Sequence, residues 1–167
     1  STNARMLLSS YTDLAWLLHQ CSCTSHQRFV SVIHHAPDSG HSHEIEIRVR
    51  YQETDGQRRV HHGNYLTYFE MGRTEMLRAQ GYTYKAFEDA GLFMVVAEAS
   101  CRYQAAAEYD DLLILRTHVG KISAASIRHT YELIRGKRII ATGETLVVCV
   151  DPDGKIRKLP DWLLPKV

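Results

Sequence analysis

Asn64-Tyr65-Leu66-Thr67-Tyr68-Phe69-Glu70-Met71-Gly72-Arg73-Thr74-Glu75-Met76-Leu77-Arg78-Ala79-Gln80 reads as one long helix. Tyr65, Phe69, Gly72 and Met76 fall on a single face at helical spacing. Asn64 can cap the start, and Gly81 suits the position just past the end. A glycine inside a helix costs about 1 kcal/mol. The gain expected at Gly72 is therefore close approach to another backbone.

Upstream, Glu44-Ile45-Glu46-Ile47-Arg48-Val49-Arg50-Tyr51 alternates strictly and reads as a half-buried strand, followed by a polar loop from Gln52 to His62. Downstream, a short helix runs from Thr83, a plausible N-cap, to Gly91. Four more strands follow. The first alternates Val95, Ala97, Ala99, Cys101 and Tyr103 with Glu98, Ser100, Arg102 and Gln104. The next spans about Leu112 to Lys121, and another puts Ala125, Ile127, His129, Tyr131 and Leu133 on one face. The last runs from Arg138 to Val150, with Gly143 as a candidate bulge. Gly136-Lys137 joins the last two strands as a tight hairpin, and Asp153-Gly154 turns the chain away. Short connections require antiparallel pairing. The order predicts an α+β fold in which a five-stranded antiparallel sheet curls around the long helix. Open sheet edges favour pairing with a second copy.

The 167 residues can bury a substantial core, and the chain is 44% apolar and 23% charged. A net charge of +1 gives no nucleic-acid footprint, and no apolar run approaches the ~20 residues of a membrane span. Met6-Leu7-Leu8 to Trp16-Leu17-Leu18 resembles a short signal core, but Ser9-Ser10 and Asp13 interrupt it and no small-residue cleavage pattern follows. Cys101 and Cys149 stand at apolar strand positions, as buried thiols do in a reducing cytoplasm. The chain divides near residue 43. Residues 1–43 hold six of the ten histidines and no sustained periodicity, and are expected to be a poorly ordered or family-foreign extension of a domain at 44–167. Within the extension, His19-x-Cys21-x-Cys23-x-x-His26 is tighter than the usual zinc spacing, so no metal is expected.

The chemistry concentrates in Arg50-Tyr51-Gln52-Glu53-Thr54-Asp55-Gly56-Gln57-Arg58-Arg59-Val60-His61-His62-Gly63. Two carboxylates and then two histidines precede a helix N-terminus, whose unpaired N–H groups and dipole suit a developing oxyanion. A carboxylate there can act as general base or nucleophile. It can equally be a simple cap or dipole partner. No G-x-S-x-G nucleophile motif is present.

This stretch resembles the motif of hotdog-fold acyl-CoA thioesterases related to 4-hydroxybenzoyl-CoA thioesterase and the bacterial YbgC proteins. Tyr51, Glu53-Thr54-Asp55, His62 and Asn64-Tyr65-Leu66 fall in the family's register. Tyr68-Phe69-Glu70 with Arg73, Phe93-Met94-Val95-Val96, Tyr103, Tyr109-Asp110-Asp111, Val148-Cys149-Val150-Asp151 and Arg157-Lys158-Leu159-Pro160 continue it over about residues 44–162. The resemblance implies hydrolysis of an acyl-CoA to a carboxylic acid and CoA. Asp55 would be the catalytic aspartate, and the N–H of His62, with Gly63, would form the oxyanion hole. It also implies a site at a dimer interface in a homodimer or homotetramer, with no cofactor beyond the substrate's CoA. One departure stands out: the family carries Gly three residues after that Asp, where this chain has Arg58.

Catalytic candidates are thus Asp55 and His62; Gly63, Tyr65 and His61 are candidates for the oxyanion or acyl contacts. Tyr65 reads as core that also touches the acyl pocket, and Glu70 with Arg73 as a structural ion pair. Ser123, Ser126, Arg128 and Arg102 could meet CoA phosphates, although solvated strand charges explain them as well. A hotdog hydratase or dehydratase and a silent acyl-CoA-binding protein are the rival functions.

Overall fold

The structure, a computed structural model, describes residues 42–163. Residues 1–41 of the extension, with the His19/Cys21/Cys23/His26 segment, lie outside them, whereas Ser42 and His43 belong to the first strand. β1 (Ser42–Arg48) leads through a 3-10 turn (Tyr51–Glu53) and a loop to helix α1 (Asn64–Ala79). Then come α2 (Tyr84–Asp89), β2 (Phe93–Tyr103), β3 (Leu112–Ile122), β4 (Ser126–Arg135) and β5 (Arg138–Val150), with a last 3-10 turn at Asp161–Leu163. The five strands form one antiparallel sheet in the order β1-β3-β4-β5-β2. This is the α+β architecture that the element order predicts, and the hotdog fold that the resemblance implies.

The inner sheet face is set by period-2 alternation. Ile45 and Ile47 of β1, Leu113 and Leu115 of β3, Tyr131 and Leu133 of β4, and Val147 of β5 are all buried. Against them α1 lays Tyr65, Tyr68, Phe69 and Met76, also buried. The Phe69 ring stacks on Tyr131, with centroids 4.5 Å apart. The Gln80–Tyr82 end of α1 is a Schellman arrangement: Gly81 N–H donates to Arg78 O at 2.9 Å and Tyr82 N–H to Leu77 O at 3.1 Å. Gly81 adopts φ 86° there. Thr83 caps α2, its side chain accepting from Ala86 N–H.

Several local expectations need correction. β1 ends at Arg48 rather than Tyr51, because the Glu53 carboxylate takes the Arg50 N–H and winds Tyr51–Glu53 into a turn. Asn64 does not cap α1; it is the first helical residue, and its Nδ2 donates to Glu53 O at 2.7 Å. Gly72 does permit close approach, but to side chains: a Cβ there would lie 2.3 Å from Thr117 Oγ1 and 2.6 Å from Leu115 Cδ2. Gly143 is not a bulge, since it pairs in register with both Tyr131 and Cys101. It makes room for Phe69, whose Cε2 would sit 2.2 Å from an added Cβ. The register slips fall instead at Ala97 in β2, at Gly120-Lys121 in β3 and at Ile140 in β5. The Ile140 carbonyl, released from the β4 ladder, accepts from Gln104 and Ala105 N–H.

Beyond β5, Arg157 N–H bonds to Cys149 O and Leu159 N–H to Ala124 O. This carries Trp162 onto Tyr82 (4.1 Å between centroids) and Phe87 (4.8 Å). A second, smaller core of Ile127, Cys149 and Leu159 lies under that segment.

Candidate active site

The loop between the 3-10 turn and α1 folds back on its own start. Asp55 N–H donates to Arg59 O (2.8 Å), Thr54 bridges Val60, and His61 N–H donates to Glu53 O (2.9 Å). Val60 N–H reaches Ala107 O at 2.8 Å, pinning the loop to the segment after β2. The two acids are chemically alike and the sequence separates them only through the register of the resemblance, but their surroundings differ sharply. Glu53 is 5% exposed. Its carboxylate accepts from Arg50 N–H, Nε and Nη2 at 2.7–2.9 Å, and from Tyr68 Oη–H at 2.8 Å. Burial and this carboxylate push the Tyr68 hydroxyl's pKa upward, so it stays a donor. Glu53 is thereby committed to joining β1, the turn and α1.

Asp55 is half-buried, with Oδ1 accepting from Gln57 N–H at 2.8 Å and from Arg59 N–H at 3.4 Å. No hydrogen bond engages Oδ2 among the described residues. The carboxylate is thus oriented by the backbone with one oxygen open. Arg58, which stands at the family's glycine position, adopts φ 62°. Its N–H closes the turn onto Asp55 O at 2.9 Å. The tight turn is therefore kept without the glycine, at a left-handed cost of about 1–2 kcal/mol for an L-residue.

At the helix start, Gly63 N–H donates to His61 Nδ1 at 3.2 Å and Asn64 N–H to His61 O at 2.9 Å. The His62 N–H has no hydrogen-bond partner among the described residues. Of the two candidate oxyanion donors, His62 is open and Gly63 is engaged. That bond also sets the His61 tautomer, with Nδ1 accepting and the proton on Nε2. Both imidazoles are exposed, with ring centroids 4.0 Å apart. Tyr103 Oη–H donates to His62 O at 3.0 Å, tying the end of β2 to the site.

Tyr65 is 3% exposed and packs edge-on to Tyr103 at 5.0 Å, so it is core beneath the loop. Burial raises its hydroxyl pKa. Glu70 and Arg73 form the expected pair at 3.0 Å. Arg128 is held by Glu144 and Glu98, and Ser123 and Ser126 hydrogen-bond to each other, so these groups are occupied with one another. Among the described residues no three metal-type side chains come together. The network of Arg50, the buried Glu53 carboxylate and Tyr68 leaves only the three-residue spacing of Arg50 and Glu53 as a local signal in the sequence.

The hotdog sheet packed on one long helix is a fold shared with thioesterases, and comparison with known proteins places the chain in a thioesterase family. Residues 49–167 match the family described as the Thioesterase-like superfamily, and the chain belongs to that family. A "Putative esterase" of Aquifex aeolicus is 34% identical over 117 residues, 70% of this chain and 91% of that protein. The "Acyl-CoA thioesterase YbgC" of Haemophilus influenzae is 36% identical over 115 residues, 68% of this chain and 83% of its own. Among solved structures, the "Probable Thioesterase from Bartonella henselae" superposes with a TM-score of 0.68 at 28% identity, covering 71% of this chain and 99% of that one. Among the described residues, no helix is long and apolar enough to cross a membrane.

Proposed function

We propose that the protein hydrolyses an acyl-CoA thioester to a carboxylic acid and free CoA, with Asp55 as the catalytic carboxylate. The observation that carries this reading is the contrast between the two acids: the buried Glu53 carboxylate is saturated with hydrogen bonds from Arg50 and Tyr68, whereas Asp55 is aimed by backbone N–H groups and keeps an oxygen open. In the general-base route Asp55 takes a proton from water as its oxygen attacks the thioester carbonyl. The C–S bond then breaks, and the proton passes to the leaving CoA thiolate. In the nucleophilic route Asp55 Oδ2 attacks the carbonyl and expels CoA thiolate as the C–S bond breaks, leaving a mixed anhydride. Water then cleaves that anhydride, regenerating the Asp55 carboxylate, releasing the acid and supplying the proton taken up by the thiolate. The open His62 N–H at the start of α1 would bind the oxyanion in both, and His61 would hold Gly63 in place. Neither route needs a resident cofactor or metal.

The working unit in this proposal is a homodimer or a pair of dimers. β2 is an edge strand, and Val95, Val96 and Tyr103 are 43%, 45% and 51% exposed. A partner strand laid along β2 would cover them and bring a second chain to the Tyr103–His62 contact. The unpaired thiols Cys101 and Cys149 suit a cytoplasmic setting.

The test is thiol release from a panel of acyl-CoAs by the parent and by Asp55→Asn. The variant should fold and lose roughly 10²–10⁴-fold in turnover. Near-parental turnover on the best substrate would overturn the assignment. A parent that binds acyl-CoA but releases no thiol would point instead to a silent binding protein.

A further inference from the structure

A cavity of about 220 Å³ lies away from the Asp55 loop, between the C-terminal half of α1, α2 and the Val119–Ile127 end of the sheet. None of Asp55, His61, His62, Gly63 and Tyr65 lines it. Its walls include Met76, Leu77, Phe87, Met94, Ile122 and Ile127. Set among these apolar side chains are Arg73, 8% exposed, and His129, 7% exposed. Buried polar groups are ordinarily paired, yet Arg73 Nε and His129 Nδ1 have no hydrogen-bond partner among the described residues. Arg73 spends one Nη on Glu70, itself on the solvent side with a side chain 65% exposed. Burial and the Arg73 charge push the His129 pKa down to about 4, so the imidazole is neutral at pH 7 and keeps one N–H to donate.

We propose that this cavity binds a monocarboxylate with a short apolar body, in the size range from benzoate to octanoate, its head group received by Arg73 and His129. Glu70 already balances the Arg73 charge on the solvent side, with the Tyr84 and Tyr131 hydroxyls against the guanidinium, and a carboxylate can add charge-assisted hydrogen bonds from the cavity side. A neutral imidazole N–H beside it supplies a further donor. An amine would be repelled by Arg73. A simple alcohol offers one neutral oxygen where a carboxylate offers two charged ones, and a hydrocarbon would leave Arg73 Nε and His129 Nδ1 without partners. Size points the same way, since an apolar cavity of about 150 Å³ already takes benzene. The reading does not depend on the hydrolytic proposal, although a carboxylic acid is also what that reaction would release.

Trp162 lines the cavity and reports on it. The chain holds two tryptophans, so a Trp16→Phe background isolates that signal. Octanoate, octanol and octylamine would be titrated into the full chain at pH 7, with benzoate as the compact acid. The two acids should give saturable changes in Trp162 emission, and octanol and octylamine should bind roughly 10- to 100-fold more weakly, the worth of one charge-assisted hydrogen bond. Arg73→Met should weaken octanoate by a similar factor and bring it level with octanol. Ile122→Trp fills the cavity while leaving Arg73 in place, and should abolish binding even if Arg73→Met fails to fold. Asp55→Asn should bind octanoate as the parent does, so that failure of the catalytic assignment and failure of this one are separable. Octanol matching octanoate, an octanoate isotherm unmoved by Arg73→Met in a folded protein, saturation undiminished by Ile122→Trp, or no saturation by either acid would each overturn the proposal.

Discussion

Glu53 and Asp55 are two residues apart and chemically alike, and burial separates their roles. The Glu53 carboxylate is 7% exposed and paired to Arg50 at 2.7 Å, with Tyr68 donating from the helix. Hydrogen bonds to a charged group contribute about 1.5–3 kcal/mol, more than neutral ones. Glu53→Gln keeps the shape and removes the charge, and should lower the unfolding free energy by about that amount. Urea denaturation at pH 7 would show it as a lower midpoint; an unchanged midpoint would mean that the network does not hold β1 to α1. His129 offers a pH test at the same scale. Its pKa falls from an ordinary 6.5 to about 4 on folding, first through burial and then through Arg73. The unfolded chain therefore takes the proton first as the pH drops. The stabilisation is fully present above pH 6.5 and lost on the way to about pH 4, up to about 3 kcal/mol in all. His129→Gln should flatten the stability profile between pH 7 and pH 4.5, and a parallel profile would show that His129 is not the group responsible.

At the scale of elements, the contact between α1 and the sheet is made possible by two missing side chains. Gly72 on the helix clears Thr117 and Leu115, and Gly143 on β5 clears Phe69. An added methyl at Gly143 would also meet Ser100 O at 2.7 Å, so neither neighbour can retreat easily. Overpacking of this kind costs about 1–3 kcal/mol. Gly143→Ala should lower the melting temperature accordingly and, by displacing Phe69, lift α1 from the sheet. Thermal unfolding followed by circular dichroism checks it; an unchanged transition would show that the ring can rotate aside. From sequence, alternation located the strands well, but a glycine in a strand carries no mark of whether it bulges or makes room. The bulges at Ala97 and Ile140 occur at residues with no turn signal, because ladder slips are settled by pairing partners and not by the residue itself.

For the whole molecule, the proposed assembly turns on the edge strand β2. No residue of β2 is fully buried, and its apolar residues stand open along an unpaired edge. Edges of this kind pair with another chain unless charge or cover prevents it. Light scattering at micromolar concentration should give the mass of about two or four chains, as closed symmetric assemblies do. Replacing Val95 and Val96 together by Lys should shift the mass to one chain. A parent that is monomeric and fully active would remove the interface from the proposed site and leave Asp55 and the start of α1 as a one-chain unit.

Periodicity and spacing by themselves determined the order of elements, the antiparallel sheet, the apolar face of α1 and the loop that carries Asp55, because those follow from local alternation and chain length. The register of Asp55 with His62 was legible too, and with it the family. Only tertiary structure decided which of the two acids is sealed by Arg50 and Tyr68, that Arg58 turns where glycine was expected, and that Gly63 N–H is taken by His61 while His62 N–H is open. It alone brought Arg73 from a helix and His129 from a strand to one cavity, 56 positions apart in the chain. The reason is physical: burial and hydrogen-bond completion depend on what the rest of the chain places nearby, and no local pattern records that.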